Sequence, residues 1–222
     1  MDIMLVVIAA LQAYVLGSIN FAVIFTNLFT KKDVRNFGSG NAGMTNVLRA
    51  AGPLPGILTF ICDAAKGALS CFIGRYIIFD YLFKNYSERA DFYLPIYGAL
   101  FCGVFCMLGH VFPVFFQLKG GKAVAVSVGI FAVADWRCIS VALGIFVLIL
   151  LISRIISISS LIATASMPIC IALFQRNIEG ERVWVSVLLT LVMALIIYLK
   201  HIENIKRLIK REEKPIFGKK GK

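Results

Sequence analysis

Phe92-Tyr93-Leu94-Pro95-Ile96-Tyr97-Gly98-Ala99-Leu100-Phe101-Cys102-Gly103-Val104-Phe105-Cys106-Met107-Leu108-Gly109-His110-Val111-Phe112-Pro113-Val114-Phe115-Phe116-Gln117 runs for 26 residues without one Asp, Glu, Lys or Arg. A helix of about 20 mostly apolar residues crosses roughly 30 Å of hydrocarbon, so a stretch of this length reads as a membrane span. Comparable runs lie approximately over 3–27, 54–79, 121–134, 138–153, 158–175 and 183–199, each separated from the next by charges or turn residues. The pattern predicts an all-α, polytopic membrane protein of about seven transmembrane helices. The runs 121–134 and 138–153 are short, and Asp135-Trp136-Arg137 between them favours a helical hairpin over one long helix. Merging the two would give six spans and move the C-terminus to the other side.

Composition agrees with this reading. Of 222 residues 59% are apolar and 16% charged, and the mean hydropathy is +0.86. A soluble domain is about half apolar and about a quarter charged, and a disordered chain needs low hydrophobicity, so both classes are excluded. Met1-Asp2 leads directly into an apolar stretch without the charged n-region of a signal peptide, so the first span is expected to be retained. The six cysteines all fall inside apolar runs and read as reduced thiols packed as small hydrophobes. Residues 1–200 are expected to form one membrane domain and 201–222 a basic tail.

The formal net charge is +11, and its distribution sets an expected orientation. Loops 28–53, 118–122, 154–157 and the tail from residue 200 hold 16 Lys/Arg, whereas the alternate set, 1–2, 80–91, 135–137 and 176–182, holds 5. The positive-inside rule then puts the N-terminus outside and the C-terminus in the cytoplasm. In the tail, Ile202, Ile205, Leu208 and Ile209 recur at helical spacing among Lys206, Arg207, Lys210 and Arg211, the pattern of an amphipathic helix lying on anionic lipid.

Four polar clusters remain that hydropathy does not explain, and all of them fall on the expected cytoplasmic side. The first runs from Gly38-Ser39-Gly40-Asn41-Ala42-Gly43 through Thr45 and Asn46 to Arg49. A glycine-rich loop opening a helix offers free N–H groups and a positive dipole end, which suits an oxyanion or phosphate. The second is Gly109-His110-Val111-Phe112-Pro113 followed by Lys119-Gly120-Gly121-Lys122, where the same logic gains two cations. It is not a Walker loop, because Ala123 follows Lys122 and cannot supply a hydroxyl to Mg²⁺. The third is Arg154 with Ser157 and Ser160, three residues apart in turn, and the fourth is His201 with Asn204. Asp63 and Lys66 stand apart from these in the middle of the second span, where opposite charges at i, i+3 read as a structural ion pair. His110 reads equally well as a packing group or a direct participant. So many cationic and amide donors with so little carboxylate suit phosphate at the level of lipid headgroups.

Taken in order, these pieces, with Gly17-Ser18-Ile19 and Lys66-Gly67, resemble the bacterial acyl-phosphate:glycerol-3-phosphate acyltransferases, and the resemblance covers nearly the whole chain. It implies a multi-pass enzyme of the bacterial cytoplasmic (inner) membrane with its active site facing the cytoplasm. Its substrates would be a fatty acyl phosphate and glycerol 3-phosphate, and its products lysophosphatidic acid and phosphate. The implied catalytic residues are Ser39, Arg49, Lys122, Ser157, His201 and Asn204. The implied substrate-binding residues are Gly40, Asn41, Gly43, Thr45, Asn46, Lys119, Gly120, Gly121, Arg154 and Ser160. No motif calls for a metal, nucleotide or flavin, so no cofactor is expected, nor a nucleic acid or an obligatory protein partner; membrane lipid is the surroundings. Neither His has Asp five residues on, so the dyad of acyl-CoA-dependent glycerolipid acyltransferases is missing. Ala123 stands where the family usually has Gly, and a positive φ there would strain the loop by roughly 1 kcal/mol. The alternative reading is a small membrane transporter for an organic phosphate or anion, although its polar clusters would sit at one face and not at the midplane.

Overall fold

The computed structural model describes residues 2–86, 94–179, 182–213 and 215–216. The described residues are helical and contain no strand. Helices α1 (Asp2–Ser18) and α2 (Phe21–Thr30) are followed by α3 (Met44–Ala51) and α4 (Pro53–Phe72). The last of these continues through wider π-type turns over Ile73–Phe83 into α5 (Lys84–Tyr86). Then come α6 (Pro95–Val111), α7 (Val124–Ala134), α8 (Trp136–Ser153), α9 (Ile156–Glu179), α10 (Val183–Lys200) and α11 (Ile202–Ile209). The chain forms two compact units, Met1–Ala134 and Asp135–Lys222.

Six helical segments among the described residues are long and apolar enough to cross a membrane: Asp2–Thr30, Pro53–Tyr86, Pro95–Phe116, Trp136–Ser153, Ile156–Ile178 and Val183–Lys200. The seventh apolar run, expected over 121–134, folds as the eleven-residue α7. At 1.5 Å per residue that helix is about 16 Å long, half the hydrocarbon thickness. The helices flanking Asp135 are separate, as its flanking turn residues predict: α7 ends at Ala134, and the Asp135 side chain caps α8 by accepting from the Arg137 N–H at 3.0 Å.

The first apolar run departs from expectation by breaking at Ile19-Asn20. Asn20, buried, caps α2 by accepting from the Val23 N–H at 3.3 Å. The break leaves the Ile19 carbonyl without a helical partner inside the apolar region, and the Lys66 ammonium supplies one at 2.6 Å.

Within Met1–Ala134, α4 packs against α7 and α1 against α6. Hydrocarbon offers no hydrophobic drive for helix pairing, so close backbone approach has to supply the contact. A Cβ built on Gly129 of α7 would lie 1.8 Å from the Ala64 carbonyl, and one on Gly67 of α4 would lie 2.4 Å from that of Val126. These two glycines let the short helix sit against α4 backbone to backbone. Within Asp135–Lys222, α9 packs against both α8 and α10, and the Tyr198 hydroxyl donates to the Leu161 carbonyl at 2.9 Å. Leu151 and Ile152 on α8 are each 73% exposed, the surface a lipid-facing helix presents.

Candidate active site

The first polar cluster folds as the predicted glycine-rich loop leading into a helix. Gly38 and Gly40 have φ of +54° and +68°, values open to glycine and strained for other residues. Gly43 is the N-cap of α3 and offers no side chain; its carbonyl accepts from the Asn46 and Val47 N–H groups at 3.0 and 3.1 Å, and the N–H groups of Met44 and Thr45 at the start of the helix suit an incoming acceptor. Ser39 and Gly40 are exposed at the loop surface, Asn41, Gly43 and Thr45 are half-buried, and Arg49 is exposed on the last turn of α3.

Asn46 holds the loop together from inside. It is 2% exposed, and its Nδ2 donates to the carbonyls of Val34 and Phe37, both at 2.9 Å. Its Oδ1 accepts from the Ser39 N–H at 3.3 Å. The side chain therefore ties the loop into shape. Arg35, which hydropathy and motif reading passed over, has a related part. It forms a 2.7 Å ion pair with Asp33 and donates through Nη1 to the Phe116 carbonyl at 2.8 Å, pinning the first loop to the turn before the second. The hydrogen bond from Arg35 holds the Asp33 carboxyl below its ordinary range, against the opposing effect of burial.

The second loop folds back over the end of α6. The Gly120 N–H donates to the Val111 carbonyl and the Gly121 N–H to that of His110, both at 3.2 Å. These amides satisfy orphan carbonyls at the helix end. The glycines are needed for proximity: a Cβ on Gly120 would lie 1.9 Å from the His110 carbonyl oxygen, and one on Gly121 2.4 Å from that of Ala42. Ala42 belongs to the first loop, so the two glycine-rich loops touch there. Gln117, Leu118 and Ala123 carry φ of +59°, +58° and +61°, and Ala123 thus has the positive φ anticipated from the sequence. Lys119 is exposed and Lys122 half-buried, two residues before α7 begins. Beneath the loop, Asp63 and Lys66 form their expected ion pair at 2.9 Å, both buried.

Asp135–Lys222 carries the third and fourth clusters. Arg154 ends α8 in a left-handed conformation (φ +59°), exposed, while Ser157 and Ser160 are buried on α9. His201 and Asn204 are buried at the α10–α11 junction, and the His201 Nδ1–H donates to the Ile197 carbonyl at 2.8 Å, which fixes the tautomer. Glu213 joins these pieces. Its Oε1 accepts from Ser157 Oγ at 2.9 Å and Asn204 Nδ2 at 2.6 Å, and its Oε2 from Arg207 Nε at 2.6 Å. The chain beyond it returns to α8, with the Ile216 N–H donating to the Arg154 carbonyl at 2.8 Å. Burial opposes ionisation of Glu213, yet the hydrogen bonds from Arg207, Asn204 and Ser157 hold its carboxyl below the ordinary glutamate value. Sequence reading missed Glu213 because it lies among basic tail residues, where a carboxylate looks like solvated charge. Among the described residues no group of three His, Cys, Asp or Glu could hold a metal ion.

Comparison with known proteins decides the family. The family model described as glycerol-3-phosphate acyltransferase matches residues 7–211. The chain belongs to that family. It is 32% identical over 217 residues to the glycerol-3-phosphate acyltransferase of Carboxydothermus hydrogenoformans, covering 98% of this chain and all of that one. It is 36% identical over 212 residues to the enzyme of Jannaschia sp., covering 96% and 93%. The crystal structure of PlsY (YgiH), an integral membrane glycerol 3-phosphate acyltransferase in its glycerol 3-phosphate form, superposes with a TM-score of 0.79 at 32% identity over 96% of each chain. Its lysophosphatidic acid form gives 0.76 at 31%, over 96% of this chain and 95% of that one. The acyltransferase is thus an integral membrane enzyme of phospholipid biosynthesis, and the transporter alternative falls away.

Proposed function

We propose that this acyltransferase moves a fatty acyl group from acyl phosphate to the C1 hydroxyl of sn-glycerol 3-phosphate, releasing inorganic phosphate. The observation that carries the reading is the meeting of two glycine-rich loops at Gly121 and Ala42. Each loop opens a helix N-terminus, and together they carry Arg49, Lys119 and Lys122 with their one carboxylate, Asp33, already paired to Arg35. A phosphorylated acceptor and a phosphorylated donor both need cations and N–H groups and no metal or nucleotide.

The chemistry follows from the donor. An acyl phosphate is a mixed anhydride with a good leaving group, so attack by a hydroxyl needs positioning and charge stabilisation more than a strong base. The C1 oxygen adds to the acyl carbonyl, the acyl carbon–oxygen bond to phosphate breaks, and a phosphate oxygen takes the hydroxyl proton. In Met1–Ala134, Arg49 and Lys122 hold phosphate, Ser39 and Asn41 with the Gly40 and Gly43 backbone shape the glycerol 3-phosphate pocket, and Lys119 orients the acyl phosphate. In Asp135–Lys222, His201 and Asn204 bind phosphate, Ser157 and Ser160 orient the acyl phosphate, and Arg154 adds charge. These residues face the cytoplasm of a bacterial inner membrane, the N-terminus lies outside, and α11 rests on anionic lipid through Ile202 and Ile209, both exposed.

Purified protein in detergent, given a fatty acyl phosphate and labelled glycerol 3-phosphate, should make lysophosphatidate, and should make none from acyl-CoA. Failure with acyl phosphate overturns the proposal. Arg49→Ala and Lys122→Ala should each lower kcat/KM by about 100-fold, the scale of a lost phosphate contact in a low-dielectric site. Wild-type turnover in both would refute their assignment.

A further inference from the structure

Asp63, Lys66 and His110 lie within membrane helices, and the reaction as derived does not use them. Their side chains are at most 4% exposed. Ionisable groups at that depth carry a desolvation cost, so a reason for placing them there has to be found in what they hold. The Lys66 ammonium donates to the Ile19 carbonyl, pairs with Asp63 at 2.9 Å, and lies 3.0 Å from His110 Nδ1. An ammonium can only donate, so His110 Nδ1 accepts and the ring proton sits on Nε2. Asp63 lies 3.6 Å from the same nitrogen and completes the cluster.

The far edge of this ring meets the phosphate loop. A Cβ built on Gly121 would lie 2.3 Å from His110 Nε2, so ring edge and loop backbone are in direct contact. The His110 carbonyl also accepts the Gly121 N–H. Gly121 is therefore gripped by the side chain and main chain of one residue, and pressed on its other side against Ala42 of the first loop. Lys122 is the next residue in the chain.

We propose that His110, oriented by Lys66 and Asp63, is the positioning residue of the Lys119–Lys122 loop: it sets where the Lys122 ammonium stands and registers this loop against the Gly38–Gly43 loop. The proposal rests on the reading that Lys122 binds substrate phosphate. A purely structural cluster would pin the break between α1 and α2 and have no particular connection with Lys122.

A double-mutant cycle separates the two. Full-length enzyme in detergent is assayed with fatty acyl phosphate and glycerol 3-phosphate for wild type, His110→Leu, His110→Gln, Lys122→Ala and the His110→Leu/Lys122→Ala pair, with a thermal midpoint for each. His110→Leu should raise the KM of the phosphate substrate by about 10-fold with kcat changed by less than about 3-fold, and should change KM by less than about 2-fold once Lys122 is already Ala. His110→Gln, which keeps an N–H near the Nε2 position, should lie closer to wild type than the Leu variant. Additive effects of His110→Leu and Lys122→Ala, or a Gln variant no better than Leu, overturn the proposal. If His110→Leu does not fold, Lys66→Met replaces it in the same cycle with the same criteria. Wild-type kinetics in Lys122→Ala alone would overturn the phosphate reading of Lys122 and the proposal with it, and that outcome is recognised from the single variant.

Discussion

At the scale of single residues, Ala123 and Glu213 illustrate opposite relations between sequence and structure. The strain at Ala123 could be anticipated from the family resemblance, in which Gly usually follows the Lys122 position, and its φ is +61°. Its tolerance could not. The methyl is 1% exposed, and burying it contributes about 0.8 kcal/mol, which offsets part of the roughly 1–2 kcal/mol cost of that backbone for an L-residue. Ala123→Gly should therefore shift stability by less than about 1 kcal/mol in a detergent melt, whereas Ala123→Val, β-branched at positive φ, should cost about 2 kcal/mol or more. Glu213 is the reverse case, unremarkable in sequence and central in space. Its carboxyl is held below the ordinary value of about 4.3, so its stabilisation is complete above that pH and is lost as pH falls through the lower folded value. Glu213→Gln should lower stability near pH 7 by about 1–2 kcal/mol, with the gap to wild type closing below about pH 4, as read from thermal midpoints across pH.

At the scale of elements, hydropathy located every apolar helix but not how each is used. The run 121–134 folds as the eleven-residue α7 because the second loop takes up the residues before Val124, and the proposed orientation of the termini has this short helix carry the chain across the membrane. What holds α7 is the α4 backbone, approached through Gly67 and Gly129. Gly129→Ala would push a methyl into the Ala64 carbonyl and should cost about 3 kcal/mol, the upper end of overpacking penalties, with loss of activity as the loop preceding α7 shifts. A wild-type melt and rate for that variant would refute the close approach as a stabilising feature. The break between α1 and α2 was illegible for a related reason. Ile19-Asn20 lies in an apolar stretch, and its stability depends on Lys66, 47 residues away in sequence.

At the scale of the whole molecule, the division of charge predicts how the chain lies in the bilayer. With 16 Lys/Arg on one set of loops and 5 on the other, cysteines introduced at Asn36 and Lys210 should be shielded from a membrane-impermeant maleimide in intact cells and react after permeabilisation. A cysteine at Asn85 should react in intact cells, and the reverse pattern would refute the orientation. The sequence by itself determined that this protein is a helical membrane protein, that its surplus cations collect in particular loops, and that those loops carry the ordered motifs of its family. Such properties are local: hydrophobic runs, charge and glycine placement are written residue by residue. Only the tertiary structure decided that the Gly120 and Gly121 amides cap α6, that Asn46 ties its own loop into shape, and that Glu213 gathers Ser157, Asn204 and Arg207. Hydrogen-bonding capacity is a property of a residue, but its use depends on which distant carbonyl or carboxylate the fold brings within 3 Å.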